Sequence, residues 1–332
     1  MLPVIFGLSG PVLTADECAF FRAADPAGYI LFARNCRDPE QLRALTDTLR
    51  DLSGRAGLLL LVDQEGGRVA RLGPPAWPAF PAPARFGALY AHAPMTAIEA
   101  ARLNAMAMGA TLRGSGLNVA CAPVLDLAGG HDVIGDRAFG ADPVAAASLG
   151  RAVLDGLAAA GVAGVMKHMP GHGRATADSH GELPRVAAAA EAMAADLLPF
   201  RRLAARARIG MVAHVAYASW DAARPASLSA AVIEQVIRGA IGFDGLLLSD
   251  DIGMGALSGT PAERARGVLA AGCDLALHCS GRLDEAEAIA VALPPIGPEA
   301  AARLGAASVP DAEALPPLGE LLSRRDALLA AP

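Results

Sequence analysis

Eight short apolar runs with helical stretches between them constrain the fold more than any other feature of this sequence. The runs cover residues 4–8, 29–33, 58–63, 118–124, 164–168, 210–215, 245–250 and 275–279. They are almost continuously apolar rather than alternating, which is typical of parallel strands that helices cover on both faces. The pattern predicts an α/β chain folded as a (β/α)8 barrel of the TIM type. A doubly wound open sheet is the alternative, but no G-x-G-x-x-G follows an early strand.

Local signals place helices between these runs. Asp38 is predicted to cap a helix whose first residue is Pro39. Thr14 and Glu17 form a capping-box pattern at the start of another helix. A terminal helix is predicted near residues 318–329.

The chain is long enough for one large barrel. It has 332 residues, of which 53% are hydrophobic, and such a chain can bury a large core. We predict a single catalytic domain over residues 1–332, with an Ala/Pro-rich C-terminal extension from about residue 294. The Pro-rich stretch at residues 73–83 follows a predicted strand, so we interpret it as an ordered loop rather than a linker.

Charge and cysteine usage limit the partners and the compartment. The net charge is −6 and no basic run occurs, which argues against a nucleic-acid partner. No apolar run reaches the roughly 20 residues of a membrane span, and the N-terminus lacks the basic start of a signal peptide. No C-x-x-C pair occurs among the five cysteines, so we expect free thiols and a cytoplasmic location. We also expect no membrane partner, and a monomer is favoured.

Polar side chains stand at the carboxyl ends of the predicted strands, which is where the active sites of barrels lie. Taken alone, Asp126 or Asp251 is best interpreted as a helix cap and His214 as a hydrogen-bonded core histidine. Their recurrence after five successive strands predicts a polar pocket. The side chains concerned are Asp63, Glu65, Arg68, Arg71, Asp126, Lys167, His168, His214, Asp250 and Asp251.

The stretch K-H-M-P-G-H-G-R-A-T-A-D-S-H, residues 167–180, holds three of the seven histidines. His168 and His172 have the H-x-x-x-H spacing of some zinc helices, but Pro170 and Gly171 between them exclude a helix. We therefore expect no metal and no cofactor, and loop structure is the default role for His172. A metal-dependent hydrolase built on His168, His172, His180 and Asp250 remains an alternative.

The end of that stretch predicts an Asp–His pair that acts as general acid and base. Asp178 and His180 are two residues apart and can lie side by side, where a carboxylate fixes the tautomer of an imidazole. The other imidazole nitrogen is then free to act as a general acid or base. A Ser–His–Asp triad through Ser179 is disfavoured because no G-x-S-x-G elbow surrounds it.

These motifs resemble a known family. K-H-M-P-G-H-G…D-S-H is similar to the K-H-F-P-G-H-G…D-S-H signature of bacterial β-N-acetylglucosaminidases in glycoside hydrolase family 3. The blocks D-Q-E-G-G-R-V-A-R, V-I-G-D-R-A-F-G, A-H-V-A-Y and G-L-L-L-S-D-D-I-G-M resemble further family blocks in the same order. Two departures are Met169, where the family usually has Phe, and A-C-A-P at residues 120–123.

The resemblance implies a cytoplasmic enzyme of peptidoglycan recycling. It would remove terminal N-acetylglucosamine from fragments that carry 1,6-anhydro-N-acetylmuramic acid, with or without peptide. By position, Asp250 would be the nucleophile, His180 the acid/base and Asp178 its partner. The residues that would bind the sugar are Asp63, Arg71, Arg137, Lys167 and His168.

A substrate-assisted mechanism is the rival to a covalent one. Some hexosaminidases use the acetamido group of the substrate as nucleophile, and the Asp250–Asp251 pair could assist it. Since successive residues of a strand face opposite sides, we expect only one of the two carboxylates to enter the barrel.

Overall fold

Eight parallel strands close into a barrel in the computed structural model, which describes residues 1–129, 132–307 and 311–330. Each strand pairs with its neighbours in chain order, and the last pairs with the first. Each of the eight predicted runs overlaps one barrel strand, so the barrel prediction is confirmed and the open-sheet alternative is wrong. The strands are β1 (Leu2–Gly7), β2 (Pro26–Leu31), β3 (Leu59–Val62), β4 (Val119–Ala120), β5 (Ala163–Met169), β6 (Ile209–Val212), β7 (Leu246–Asp251) and β8 (Leu275–His278).

Helices surround the barrel. They are α1 (Ala15–Ala24), α2 (Pro39–Ser53), α3 (Pro83–Tyr90), α4 (Pro94–Gly114), α5 (Pro143–Ala159), α6 (Ala194–Leu203), a π-helix (Val232–Ile241), α7 (Pro261–Ala270), α8 (Leu283–Ala292), α9 (Pro298–Ala306) and α10 (Leu318–Leu329). Short 3-10 turns cover Ala33–Asn35, Gly135–Arg137 and Ala226–Leu228. A small hairpin joins Gln64–Gly66 to Val69–Ala70, and a three-stranded sheet joins Arg185–Val186, Ala216–Tyr217 and Asp221–Pro225. None of the described helices has both the length and the apolar character needed to cross a bilayer.

The predicted helix starts are confirmed. The Asp38 side chain accepts from the Gln41 N–H at 2.8 Å, and Pro39 is the first residue of α2. Thr14 and Glu17 cap α1 reciprocally, each side chain accepting from the backbone of the other. α10 covers the predicted residues 318–329.

The fourth strand is shorter than predicted. The run at residues 118–124 pairs continuously only over Val119–Ala120, and one further bridge joins Val124 to Lys167. Pro123 lies between these two pairings and has no N–H to donate, so the ladder is interrupted there.

Two clusters of buried side chains divide the strands by face. The inner cluster contains Ile30, Leu59, Leu61, Val165, Leu246 and Leu248, and the outer cluster, against the helices, contains Leu31, Leu60, Val62 and Leu247. Strand side chains alternate with period two. The next inward positions are therefore Phe32 after β2, Asp63 after β3, Lys167 in β5, Asp250 in β7 and Cys279 after β8.

The predicted C-terminal extension folds back onto the barrel. Ile296, Leu304 and Ala307 pack against the inner cluster, and α10 packs on α4, where Arg325 donates to the Asn104 side chain at 3.1 Å. The prediction of one domain over residues 1–332 includes residues 130, 131, 308–310, 331 and 332, which lie outside the described residues.

Candidate active site

The inward positions at the carboxyl ends of the strands line one cavity. Asp63, Lys167 and Asp250 stand on its floor, and His180 reaches it from the loop after β5. All the predicted catalytic and sugar-binding residues except Asp178 line this cavity, together with Glu65, His172, Asp251 and Cys279. Three of the strand-end side chains predicted to form the polar pocket do not line it: Arg68, Asp126 and His214. Its apolar wall is made by Ile30, Phe32, Val69, Val133, Ile134, Met211, Met254 and Leu277.

A buried ionic network forms the floor. The Lys167 ammonium lies 3.0 Å from Asp63 Oδ1 and 2.7 Å from Glu65 Oε1. Arg71 Nη2 lies 3.0 Å from Asp63 Oδ2, and Arg137 binds Glu65 through two nitrogens at 2.8 and 2.9 Å. Three cations thus surround two carboxylates, which leaves one net positive charge beside the cavity.

The network keeps its members ionised. Burial alone raises the pKa of Asp63 and Glu65, but the Lys167 ammonium and the two guanidinium groups outweigh it, so both pKa values lie below their usual range. Burial alone lowers the pKa of Lys167, but Asp63 and Glu65 hold it above its usual value. Sequence reasoning placed Glu65 among the strand-end residues but not in the site, because its bonds to Lys167 and Arg137 join distant parts of the chain.

Asp126 orients His168. His168 Nδ1 donates to Asp126 Oδ2 at 2.6 Å, and the backbone N–H of His172 donates to Asp126 Oδ1 at 2.6 Å. The interpretation of Asp126 as a helix cap is wrong, because its carboxylate is used by the loop after β5. Since Nδ1 is taken by the carboxylate, Nε2 is the nitrogen that His168 can offer to a ligand in the cavity.

Asp250 stands in the cavity as a carboxylate. Burial raises its pKa, but His168, His214, the N–H of Asp251 and the Lys167 ammonium outweigh burial and hold the pKa below its usual value. Asp250 Oδ1 accepts the N–H of Asp251 at 2.8 Å.

Asp251 has a different role. Its Oδ1 accepts from the N–H groups of Gly253 at 2.9 Å and Cys279 at 3.0 Å. The helix-cap interpretation is wrong here too, because α7 begins ten residues later and is capped by Thr260. Asp251 instead holds the turn after β7 and ties it to β8.

His180 and Asp178 lie side by side at the rim. His180 Nδ1 and Asp178 Oδ1 are 2.7 Å apart, and the His180 N–H donates to the same oxygen at 2.9 Å. The side chains of His180 and Asp178 are 66% and 44% exposed, in contrast to the buried floor. His180 therefore carries a partnered imidazole on a loop that water reaches.

His172 and His214 are also buried. His214 Nε2 donates to the Asp251 carbonyl at 3.0 Å, and its Nδ1 accepts from the Ser227 hydroxyl at 2.6 Å, as expected of a core histidine. His172 lines the cavity with its ring 5.8 Å from that of His168, and its Nδ1 makes no hydrogen bond within the described part of the chain. Burial lowers the pKa of both imidazoles, so both are neutral at pH 7.

The two departures from the family motif do not reach the cavity. Met169 packs in the outer cluster, where its methyl group fills the space beside Gly210. Cys121 is in the inner cluster, and burial raises the pKa of its thiol. All five cysteines are free thiols.

Metal-ligating side chains do not cluster in the described ranges. Within residues 1–129, 132–307 and 311–330, no three His, Cys, Asp or Glu side chains are placed to hold one metal ion. His168, His172, His180 and Asp250 share the cavity without forming such a group.

Known proteins with similar sequence and structure belong to one family of glycosyl hydrolases. Residues 16–300 match the model of the glycosyl hydrolase family 3 N-terminal domain. A β-hexosaminidase of Alkalilimnicola ehrlichii is 44% identical over 84% of this chain and 80% of its own length. NagZ from Neisseria gonorrhoeae, solved in complex with N-trifluoroacetyl-D-glucosamine, superposes with a TM-score of 0.88 and 32% identity over 98% of this chain and 97% of its own.

The ionic network predicts how Lys167→Met responds to pH. In the native protein, Asp63 and Glu65 have lowered pKa values, so their stabilisation is complete above about pH 4.5 and is lost as the pH falls. Without Lys167, Asp63 keeps only Arg71 and Glu65 only Arg137, and we expect burial to outweigh one guanidinium group each and to raise both pKa values above those of the unfolded chain. The variant should then lose stability as the pH rises from about 5 to 8, by about 3–5 kcal/mol at the upper end.

The measurement is thermal unfolding of both proteins at pH 5 and pH 8. Arg43→Met is the matched control, because it breaks a half-exposed pair with Asp47 and should cost no more than about 1 kcal/mol at either pH. A Lys167→Met protein as stable at pH 8 as at pH 5 would contradict the assigned network.

Proposed function

The chain belongs to glycosyl hydrolase family 3, and on that premise we propose a retaining exo-glycosidase that removes terminal β-linked N-acetylglucosamine. Relatives that are 40–44% identical to this chain are β-hexosaminidases, so the enzyme is a glycoside hydrolase of that type. The observation that carries the proposal is the ionised carboxylate of Asp250 in the same cavity as the partnered imidazole of His180.

In the first step of the proposed mechanism, Asp250 attacks the anomeric carbon. His180, protonated and held by Asp178, gives its proton to the glycosidic oxygen, and the bond between that oxygen and the anomeric carbon breaks. The products are the free aglycone alcohol and a glycosyl ester on Asp250. Asp178 stabilises the imidazolium before the proton leaves.

In the second step, neutral His180 takes a proton from water. The hydroxide oxygen attacks the anomeric carbon, the ester bond breaks, and Asp250 is restored as a carboxylate. Two inversions give net retention of the β configuration. His180 ends protonated and ready for the next cycle.

The residues on the floor of the cavity would bind the sugar. Asp63 is fixed by Lys167 and Arg71 and keeps lone pairs for sugar hydroxyl groups, while His168 offers Nε2. We assign sugar binding to Asp63, Arg71, Arg137, Lys167 and His168. Because each charged group of the network already has an ionic partner, the network needs little rearrangement when substrate enters.

The contacts of Asp251 favour the covalent route over the substrate-assisted one. Asp251 also lines the cavity, but two backbone N–H groups already use its Oδ1, so this carboxylate is committed to holding the turn after β7. Asp250 is then the carboxylate that faces the anomeric centre, as nucleophilic attack requires.

We further propose that the natural substrate is N-acetylglucosaminyl-1,6-anhydro-N-acetylmuramic acid, with or without its peptide. The reaction would take place in the cytoplasm during peptidoglycan recycling. The motif resemblance supports this assignment, and five free thiols suit a reducing compartment. Incubation with this disaccharide should release N-acetylglucosamine, first as the β anomer in proton NMR. Release of the α anomer first would indicate inversion and reject the mechanism.

Asp250→Asn should fold normally and keep at most about a thousandth of the kcat on aryl N-acetyl-β-glucosaminides, because an amide is a poor nucleophile. A fluorinated N-acetylglucosaminyl donor should label the native enzyme on Asp250, as seen by peptide mass mapping. Asp251→Asn is the matched control and should still be labelled on Asp250. Turnover of the native enzyme without any adduct on Asp250 would favour the substrate-assisted route.

His180→Ala should affect substrates according to their leaving groups. The general acid contributes about 10²–10⁴-fold when the departing alcohol is a poor leaving group. Hydrolysis of the muropeptide disaccharide should therefore fall by that factor, whereas cleavage of a 2,4-dinitrophenyl glycoside should fall far less in its first step. His92→Ala, an exposed histidine outside the cavity, is the control. Equal losses for both substrates would reject His180 as the acid.

A further inference from the structure

The loop that carries His180 is docked on the turn that follows Asp250. The N–H of Gly255 donates to the His180 carbonyl at 3.1 Å, and the N–H of Ala256 donates to the Ser179 carbonyl at 3.0 Å. Both bonds use backbone atoms only. The loop is thus held on the turn by its main chain, while the His180 imidazole is bonded to Asp178 and exposed at the cavity rim.

The turn itself is rigidly built. The Asp251 carboxylate accepts the N–H of Gly253, and the Asp251 carbonyl accepts the N–H of Met254 at 3.1 Å and the Nε2–H of His214. The N–H of Cys279 in the neighbouring strand connection also donates to Asp251. These bonds fix the turn one residue after Asp250, so the position of the turn follows that of the nucleophile.

Gly255 is the residue that lets the two segments approach. A Cβ atom at this position would lie 2.7 Å from the His180 carbonyl oxygen and 2.8 Å from that of Gly181. Real Cβ atoms essentially never come within 3.0 Å of another heavy atom, and both oxygens belong to backbone. Any side chain at residue 255 therefore forces the His180 loop away from the turn.

Further contacts hold the loop at its two ends. Near its start, the Tyr217 hydroxyl donates to the Gly171 carbonyl at 2.8 Å, and near its end Arg185–Val186 joins the small three-stranded sheet. The docking contact at Gly255 lies between these two anchors. A change there shifts the segment that carries His180 without releasing either end.

We propose that residues 251–256 form the docking platform of the acid/base loop and that Gly255 is a positioning residue for His180. This inference rests on the proposed function, in which His180 moves the proton. Gly255 touches neither substrate nor the reacting atoms and acts only through the loop. The platform links the two catalytic groups, since it starts next to Asp250 and ends under His180.

Gly255→Ala tests the proposal through the leaving-group dependence of the rate. A loop displaced by about 1 Å costs on the order of 10²-fold where geometry decides the rate. We expect kcat on the muropeptide disaccharide to fall by about 10- to 100-fold with little change in KM, because the sugar-binding floor is untouched. First-step cleavage of the 2,4-dinitrophenyl glycoside should change less than about threefold, because that leaving group needs little acid assistance.

Gly305→Ala is the matched control. It adds the same methyl group to a glycine of α9 that has nothing within 4 Å of the added Cβ, and it should behave as the native enzyme. An equal loss on both substrates, a rise in KM that accounts for the loss, or native rates in Gly255→Ala would each overturn the positioning role.

Hydrogen exchange tests the docking itself without using activity. In the native protein, the amides of Gly255 and Ala256 should exchange slowly, and in Gly255→Ala the residue 256 amide should exchange at least about tenfold faster. Exchange of these amides in the native protein at the rate of an unprotected loop would overturn the docking, even if Gly255→Ala did not fold. Native protein that protects these amides yet cleaves no N-acetyl-β-glucosaminide would instead reject the proposed function.

Discussion

The rest of the site depends on the ion pairs that the buried Lys167 ammonium forms with Asp63 and Glu65. Lys167 enters the barrel at the inward position of β5 and contacts the carboxylates of Glu65, which is buried, and Asp63, which is partly buried. Two carboxylates without this cation would repel each other in a region that water hardly reaches. With it, Arg71 and Arg137 can complete a network whose members all stay charged. The cavity above this layer therefore has a fixed polar floor before any ligand arrives.

The strand pattern predicted much of this arrangement. Eight continuous apolar runs predicted the barrel, because the apolar character of a buried parallel strand is a local property of the sequence. The expectation that only one of Asp250 and Asp251 would enter the barrel is wrong, because both side chains line the cavity where the pairing of β7 with β8 becomes irregular. The shortened β4 was missed since Pro123 lies inside an otherwise good apolar run.

Residues that act through distant partners were harder to predict. Taken alone, Asp126 and Asp251 were interpreted as helix caps, because a strand-end aspartate usually has that role. Their true partners are His168, His172 and Cys279, which follow other strands. Glu65 and Gly255 show the same difficulty. A glutamate close to two arginines in the sequence, or a glycine in a loop, can be assigned several ordinary structural roles from its neighbours alone. Only the closed barrel brings Glu65 to Lys167 and Gly255 to His180, so no short-range signal could separate these roles from ordinary ones.

The groups that surround the cavity floor keep one protonation state near neutral pH. Asp63, Glu65, Asp126 and Asp250 have pKa values below their usual range, and Lys167 lies above its own, so none of them changes charge near neutrality. Burial keeps His172 and His214 neutral there. A proton shuttle built into this floor would disturb the balance of the ionic network at every turnover. The proposed mechanism instead places the exchangeable proton on an exposed loop, which avoids that disturbance provided that the loop returns to one position. The proposed backbone docking on the turn after Asp250 supplies that position without using the His180 imidazole.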